Sequence, residues 1–170
     1  MAGRARADTA PERAHDPEAV REAALKLLER ARRTRRDLAR RLAEKGYVAA
    51  AVGEALDRLV AVGLIDDIEY ARAFLASRWS RRSAGWRRLE QELRRRGVIP
   101  ADIDAARDRL EEEVGASDDL AAARRVVSQV ARRYAALDAR VRRQRLYALL
   151  ARRGFDGDVI RRALDENDTS

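Results

Sequence analysis

The sequence predicts an all-α protein built from three tandem three-helix repeats. Two observations predict it. The first is composition. Among 170 residues the aromatic share is 5% and there are three prolines, Pro11, Pro17 and Pro100, while Ala, Leu, Arg and Glu dominate. These dominant residues enter a helix at least cost. The second is an internal repeat. Gly46, Gly97 and Gly154 follow runs ending in Glu44-Lys45, Arg95-Arg96 and Arg152-Arg153. Each reads as a left-handed residue just past a cation-rich last turn. Counting from each glycine, position −8 is Leu38, Leu89 and Leu146, and position −4 is Leu42, Leu93 and Leu150. Position +1 is Tyr47, Val98 and Phe155, +6 is Val52, Ile103 and Ile160, and +9 is Ala55, Ala106 and Ala163. Leucines four apart mark one face of a helix, and the later positions mark another helix after a tight turn. The glycines lie 51 and 57 residues apart, so each unit is too small to bury its own face fully and gains by stacking on its neighbours.

Residues 1–16 carry no apolar period and are expected to form a disordered tail. The first repeat, 17–65, opens at Asp16-Pro17-Glu18, which supplies an N-cap, a proline at the first helical position and an early carboxylate. Its first helix is expected over 17–31. Thr34 with Asp37 resembles a capping box for the second helix, which Gly46 closes. The second repeat, 66–115, starts at Asp66 or Asp67, with a helix over 67–81. The third, 116–166, starts at Ser117, with a helix over 117–134. Asp156 is expected to cap the last helix, and 167–170 form a short tail.

Several chemistries lack material. The chain has no cysteine and one histidine, His15, which excludes thiolate metal sites and leaves nothing for a histidine-based triad or metal site. No G-x-x-x-x-G-K-[ST] loop occurs. Glu111-Glu112-Glu113 are consecutive, so on a helix they splay apart and read as a solvated helix end. Asp66-Asp67 reads as a cap and not a metal site. No apolar run approaches the roughly 18 residues a membrane helix needs. Met1 to Asp16 does not read as a signal peptide, because no apolar stretch follows Arg4 and Arg6. No catalytic residue, metal or cofactor is expected, and the chain is expected in the cytoplasm.

Charge carries the functional information. Lys plus Arg number 37 against 29 Asp plus Glu, a net charge of +8, and all but Lys26 and Lys45 of the cations are arginine. Residues 17–64 and 116–170 each sum to +4, while 65–115 sum to zero. That neutral middle is split, +6 from Arg78 to Arg96 and −6 from Ala101 to Asp119. The acidic block either pairs with the basic one internally or forms a separate patch. The arginine-to-lysine ratio has a bland reading as codon bias in a GC-rich genome.

The second helix of each repeat is the most basic. Its arginines are Arg35, Arg36, Arg40 and Arg41 in the first repeat, and Arg87, Arg88, Arg94 and Arg95 in the second, with Arg96 at its end. In the third they are Arg142, Arg143, Arg145, Arg152 and Arg153, with Arg140 ahead of them. The leucine pairs take the buried face, so many of these guanidinium groups must face solvent. Stacked repeats would line up three basic ridges suited to carboxylates or phosphates. Arg81, Arg82 and Trp86 join the set from the turn before the second repeat's basic helix. Trp86 among arginines either stacks on a base or packs between helices. Trp79, Tyr70 and Phe74 read as core, and Tyr147 either stacks on the preceding helix or faces a partner.

The block Gly63-Leu64-Ile65-Asp66-Asp67, with Tyr70-Ala71-Arg72-Ala73-Phe74 and Arg78, resembles the RecX family of recombinase regulators. So do Leu89-Glu90-Gln91-Glu92-Leu93 with Arg96-Gly97-Val98, and Leu146-Tyr147 with Leu150-Ala151-Arg152-Arg153-Gly154-Phe155. The resemblance covers residues 19–166. It implies an elongated, curved array of three-helix repeats, with no enzymatic activity. It also implies binding to the RecA–single-stranded DNA filament, in recombination, DNA repair and the SOS response. Such proteins suppress ATP hydrolysis, strand exchange and co-protease activity. Three positions depart from the family pattern: Trp86 stands where relatives often carry a small residue or proline, Arg107 stands where the other repeats have Leu56 and Leu164, and Gly157 falls in the first turn of the last helix.

Three functions are therefore expected to compete. The first is a monomeric regulator lying in the groove of the RecA filament or capping its end. The second is a non-specific, salt-sensitive binder of single-stranded and double-stranded DNA. Gln91, Gln129, Gln144 and Asn167 are the only amides, so base readout is poorly supplied. The third is a helical-repeat adaptor for another acidic protein.

Overall fold

A computed structural model describes residues 11–79, 83–116 and 118–168. Nine α-helices occur among them. The first repeat holds α1 (Pro17–Arg30), α2 (Arg35–Glu44) and α3 (Ala49–Ala61). The second holds α4 (Asp67–Trp79), α5 (Trp86–Arg95) and α6 (Pro100–Val114), and the third α7 (Asp119–Tyr134), α8 (Ala139–Arg152) and α9 (Gly157–Asp168). None is long and apolar enough to cross a membrane among the described residues.

Each repeat has its own core, and the repeating positions build it. Leu38 and Leu42 meet Val52, Ala55 and Leu56 in the first; Leu89 and Leu93 meet Ile103 and Ala106 in the second; Leu146 and Leu150 meet Ile160, Ala163 and Leu164 in the third. The turn glycines explain the tight spacing. Gly46, Gly97 and Gly154 have φ of 94°, 96° and 83°. The residue after each donates its N–H to the −4 leucine's carbonyl: Tyr47 to Leu42, Val98 to Leu93 and Phe155 to Leu150, all at 3.2 Å. This is a Schellman closure, in which the apolar +1 residue belongs against the −4 leucine. Position +10 differs in the second repeat. Leu56 and Leu164 are buried, whereas Arg107 lays its guanidinium 4.5 Å from the centre of the Trp86 ring and pairs with Glu111 at 2.9 Å. Two of the three departures from the family pattern thus answer each other: the large indole occupies α5's first turn and the arginine covers it.

The ends of the elements need some correction. The expected tail is ordered from Pro11, where a 3₁₀ turn spans Pro11–His15. Ala14 is buried there, and its carbonyl accepts the Val48 N–H at 2.9 Å. A five-residue turn is too short to carry an apolar period, so composition alone could not show it. Residues 1–10 lie outside the described residues. The last helix runs through Asp168, past the expected end at 166. Thr34 caps α2 by accepting the Asp37 N–H at 3.1 Å, which is half of the expected capping box; the Asp37 carboxylate turns instead to Arg33, Arg40 and Arg41. Asp118, not Ser117, caps α7, accepting the Ala121 N–H at 2.9 Å, and Ser117 lies outside the described residues. Asp156 precedes α9 and accepts the Gly157 N–H at 3.2 Å.

Candidate functional site

The basic helices α2, α5 and α8 run end to end. The C-terminus of α8 meets the N-terminus of α5, and the C-terminus of α5 meets the N-terminus of α2. At the first joint, buried Thr34 donates its hydroxyl to the Arg96 carbonyl at 2.6 Å. At the second, the Gly85 N–H donates to the Arg153 carbonyl at 3.0 Å. Helices of 10, 10 and 14 residues follow one another this way, a contour of roughly 50 Å at 1.5 Å per residue. The cores stay separate, and the repeats touch mainly through these helix ends.

The two aspartates of Asp66-Asp67 have different partners. Asp66 caps its own helix α4, accepting the Glu69 N–H at 2.8 Å. Asp67 reaches back and accepts the Arg35 N–H at the start of α2, at 2.9 Å. Asp118-Asp119 repeats the arrangement, with Asp118 capping α7 and Asp119 accepting the Trp86 N–H at the start of α5, at 3.4 Å. The sequence offered Asp66 or Asp67 as one cap. The structure uses both, on helices of different repeats.

Two open clefts flank the joints. One, of about 890 Å³, lies between α5 and the end of α8 and is lined by Arg87, Arg88, Arg94, Arg95 and Arg152. The other, of about 650 Å³, lies between α2 and the end of α5 and is lined by Arg32, Arg33, Arg36, Arg40, Arg41, Arg95 and Arg96. Arg95 borders both. The structure therefore brings together nine of the sequence-selected residues around the joints, namely Arg36, Arg40, Arg41, Arg87, Arg88, Arg94, Arg95, Arg152 and the neighbouring Arg153, whose side chain donates to the Ser83 carbonyl at 3.4 Å. Arg142, Arg143 and Arg145 lie further along α8, and Arg35 turns to Asp57 at 2.5 Å. Arg81 and Arg82 lie outside the described residues, as does the Trp79 side chain.

Ion pairing sorts the arginines. Arg33, Arg40 and Arg41 converge on Asp37 at 2.9, 2.7 and 2.8 Å, and Arg40 also holds Glu44 at 2.5 Å. Burial pushes the Asp37 carboxyl up, but the hydrogen bonds from Arg41, Arg40 and Arg33 outweigh it and hold the pKa at about 2. Arg87 pairs with Asp156, Arg94 with Glu90 and Arg143 with Asp165. Exposed pairs like these are worth about 0–1 kcal/mol each and exchange readily for another anion. Among the described residues, Arg36, Arg88, Arg95, Arg142, Arg145 and Arg152 have no ion pair, and all but half-buried Arg142 are exposed. The acidic block sends its described ion pairs to Arg72 from Glu113 and to Arg107 from Glu111. Those partners lie on α4 and α6, so the basic face of α5 is not neutralised by them.

Phe74, Tyr70 and Trp86 fall out as packing. Phe74 is buried between the guanidinium groups of Arg78 and Arg96, at 3.8 and 4.9 Å from its centre. Tyr70 packs on the same core and accepts from Arg96 through its hydroxyl at 3.0 Å. Trp86 is half-buried against the second core, with Arg107 on one face. Tyr147 is 41% exposed on α8.

Comparison with known proteins agrees with this architecture. Residues 21–59, 66–106 and 117–164 match the models of the first, second and third three-helix domains of RecX. "Regulatory protein RecX" of Halorhodospira halophila is 41% identical, across 89% of this chain and 91% of that protein. The Streptomyces coelicolor protein of the same name is 38% identical, across 89% of this chain and 81% of that protein. The crystal structure of RecX from Lactobacillus salivarius shares the fold at a TM-score of 0.78 and 20% identity, covering 91% of this chain and 98% of that one. The chain belongs to the RecX family of regulatory, non-enzymatic proteins.

Proposed function

We propose that this member of the RecX family binds the RecA–single-stranded DNA filament along its helical groove through the α8–α5–α2 column. Binding there modulates ATP hydrolysis, strand exchange and co-protease activity. The observation that carries the reading is the end-to-end alignment of three basic helices, with ion-pair-free Arg36, Arg88, Arg95 and Arg152 at successive clefts. A filament presents the same surface again and again. A rigid column can touch several copies of it, and weak contacts linked this way multiply. Clamping neighbouring subunits hinders the motions of ATP turnover, and an occupied groove excludes duplex DNA and co-protease substrates. Arg142 and Arg145 extend the contact along α8, while Arg35 and Trp86 are held mainly by internal partners. A monomeric, cytoplasmic protein fits this role.

Cryo-electron microscopy of the chain with RecA filaments tests the reading. The expected result is density along the groove at stoichiometric ratios, together with a fall in RecA ATPase on single-stranded DNA. Density only at filament ends would replace groove binding with end capping, and unchanged ATPase would refute both. The second reading, non-specific DNA binding, is favoured by the same arginine forks acting on phosphates. It predicts tight, steeply salt-dependent binding to bare DNA that is indifferent to RecA.

A further inference from the structure

We infer that each doubled aspartate is a joint, in which the second residue is a positioning residue for the basic helix of the preceding repeat. Asp67 and Asp119 occupy the same place, the first helical position of a repeat's opening helix, and each accepts the first N–H of the preceding basic helix. Those N–H groups have no partner inside their own helices. The contact is reciprocal. The preceding repeat returns a hydrogen bond to the terminal carbonyl of the following basic helix, from Thr34 to Arg96 and from Gly85 to Arg153. One exchange aligns two helix ends, and both axes are then fixed with their dipoles head to tail.

The first repeat differs at this position. Its opening helix keeps the self-capping aspartate, Asp16, which accepts the Glu18 N–H at 2.9 Å. The next position is Pro17, where the later repeats have Asp67 and Asp119. Pro17 offers no acceptor side chain, and no basic helix among the described residues bonds to it. The second aspartate thus occurs at both joints between described repeats. Because the cores are separate, these few bonds decide whether the column behaves as one rod or as three modules.

The test compares Asp67→Ala/Asp119→Ala and the single Asp119→Ala with the corresponding Asn variants, which retain an acceptor oxygen. Circular dichroism should show unchanged helix content, since each core is left intact. For the Ala variants, small-angle scattering should show a larger maximum dimension, and amide exchange should speed up about tenfold, the scale of a lost cap, at Trp86 in both and at Arg35 in the double variant alone. The Asn variants should stay close to the native curve. A folded Ala variant with native scattering and native exchange overturns the joint. The filament contact rests on the function proposed above and is read separately, by RecA ATPase. A loosened column with weakened inhibition supports both ideas. A loosened column with native inhibition leaves the joint standing and counts against docking by a rigid column.

Discussion

The two joints of the column hold equivalent helix ends with different atoms. At the first, a side chain spans the gap: Thr34, 1% exposed, caps α2 and donates to the Arg96 carbonyl, while Arg32 and Glu69 pair alongside at 3.2 Å. At the second, backbone meets backbone. Gly85 has replaced the capping side chain, and a Cβ there would sit 2.6 Å from Phe155 Cα and overlap the Gly154 carbonyl. Arg87 and Asp156 pair alongside at 2.9 Å. A side chain adjusts by rotating, whereas a backbone contact does not. The first joint is therefore the one that tolerates substitution, and the second is set by the absence of a side chain.

Gly85→Ala should break the comparison most strongly. Its φ of −73° suits alanine, so the whole effect is steric. We expect a loss of about 3 kcal/mol, the upper part of the overpacking range, read by thermal melting. Displacement of α8 from α5 should appear as faster exchange at the backbone amide of position 85, which loses the Arg153 carbonyl. Thr34→Val removes the matching contact at the first joint while keeping the shape. It leaves the Arg96 carbonyl without its donor and α2 without its cap, a loss of about 2 kcal/mol. If Thr34→Val proves costlier than Gly85→Ala, the ranking of rigid over adjustable joint is wrong.

The smallest effect is on acid stability, and it belongs to the first joint and the repeat beside it. Asp37 and Glu69 are held at about 2, below their ordinary 3.8 and 4.5. For Glu69 the hydrogen bond from Arg72 is the main cause; burial opposes it, and a weaker hydrogen bond from Arg32 adds to it. An unfolded carboxylate takes up its proton first as pH falls. The stability these two supply is therefore complete above about pH 4.5 and lost on the way down to about 2. Asp67 has the opposite sign, because burial raises it. It is protonated sooner in the folded chain than in the unfolded one, and this offsets part of the loss. A melting-temperature series from pH 6 to 2 should fall below about pH 4.5 in the native chain. The fall should be shallower in Asp37→Asn and steeper in Asp67→Asn, which removes the offset.

The repeats were legible because their signature is local. A leucine at −4, a glycine, and an apolar residue at +1 are the parts of one Schellman turn, and the −8 and +6 positions lie on the adjoining helices. The basic faces were legible for the same reason: once Leu38 and Leu42 are buried, Arg36 and Arg40 must lie elsewhere on the turn. The joints were not legible. Asp67 acts on a residue 32 positions earlier, and Thr34 on one 62 positions later, so neither spacing belongs to a helical period. A doubled Asp in the two later repeats, set against Asp16-Pro17 in the first, was the available signal. The sorting of arginines was equally hidden, because it depends on which carboxylate each one reaches. Arg41 is tied to Asp37 by sequence neighbours, but Arg87 meets Asp156 only across the second joint.

The most direct test of the account is charge reversal of the unpaired arginines along the column. Arg36, Arg88, Arg95 and Arg152 would be changed together to Glu, and the folded variant titrated against RecA ATPase on single-stranded DNA. We expect the concentration for half-inhibition to rise at least about tenfold, since four linked contacts are inverted at once. Native inhibition by the folded variant would contradict the account and move the filament contact off the α8–α5–α2 column.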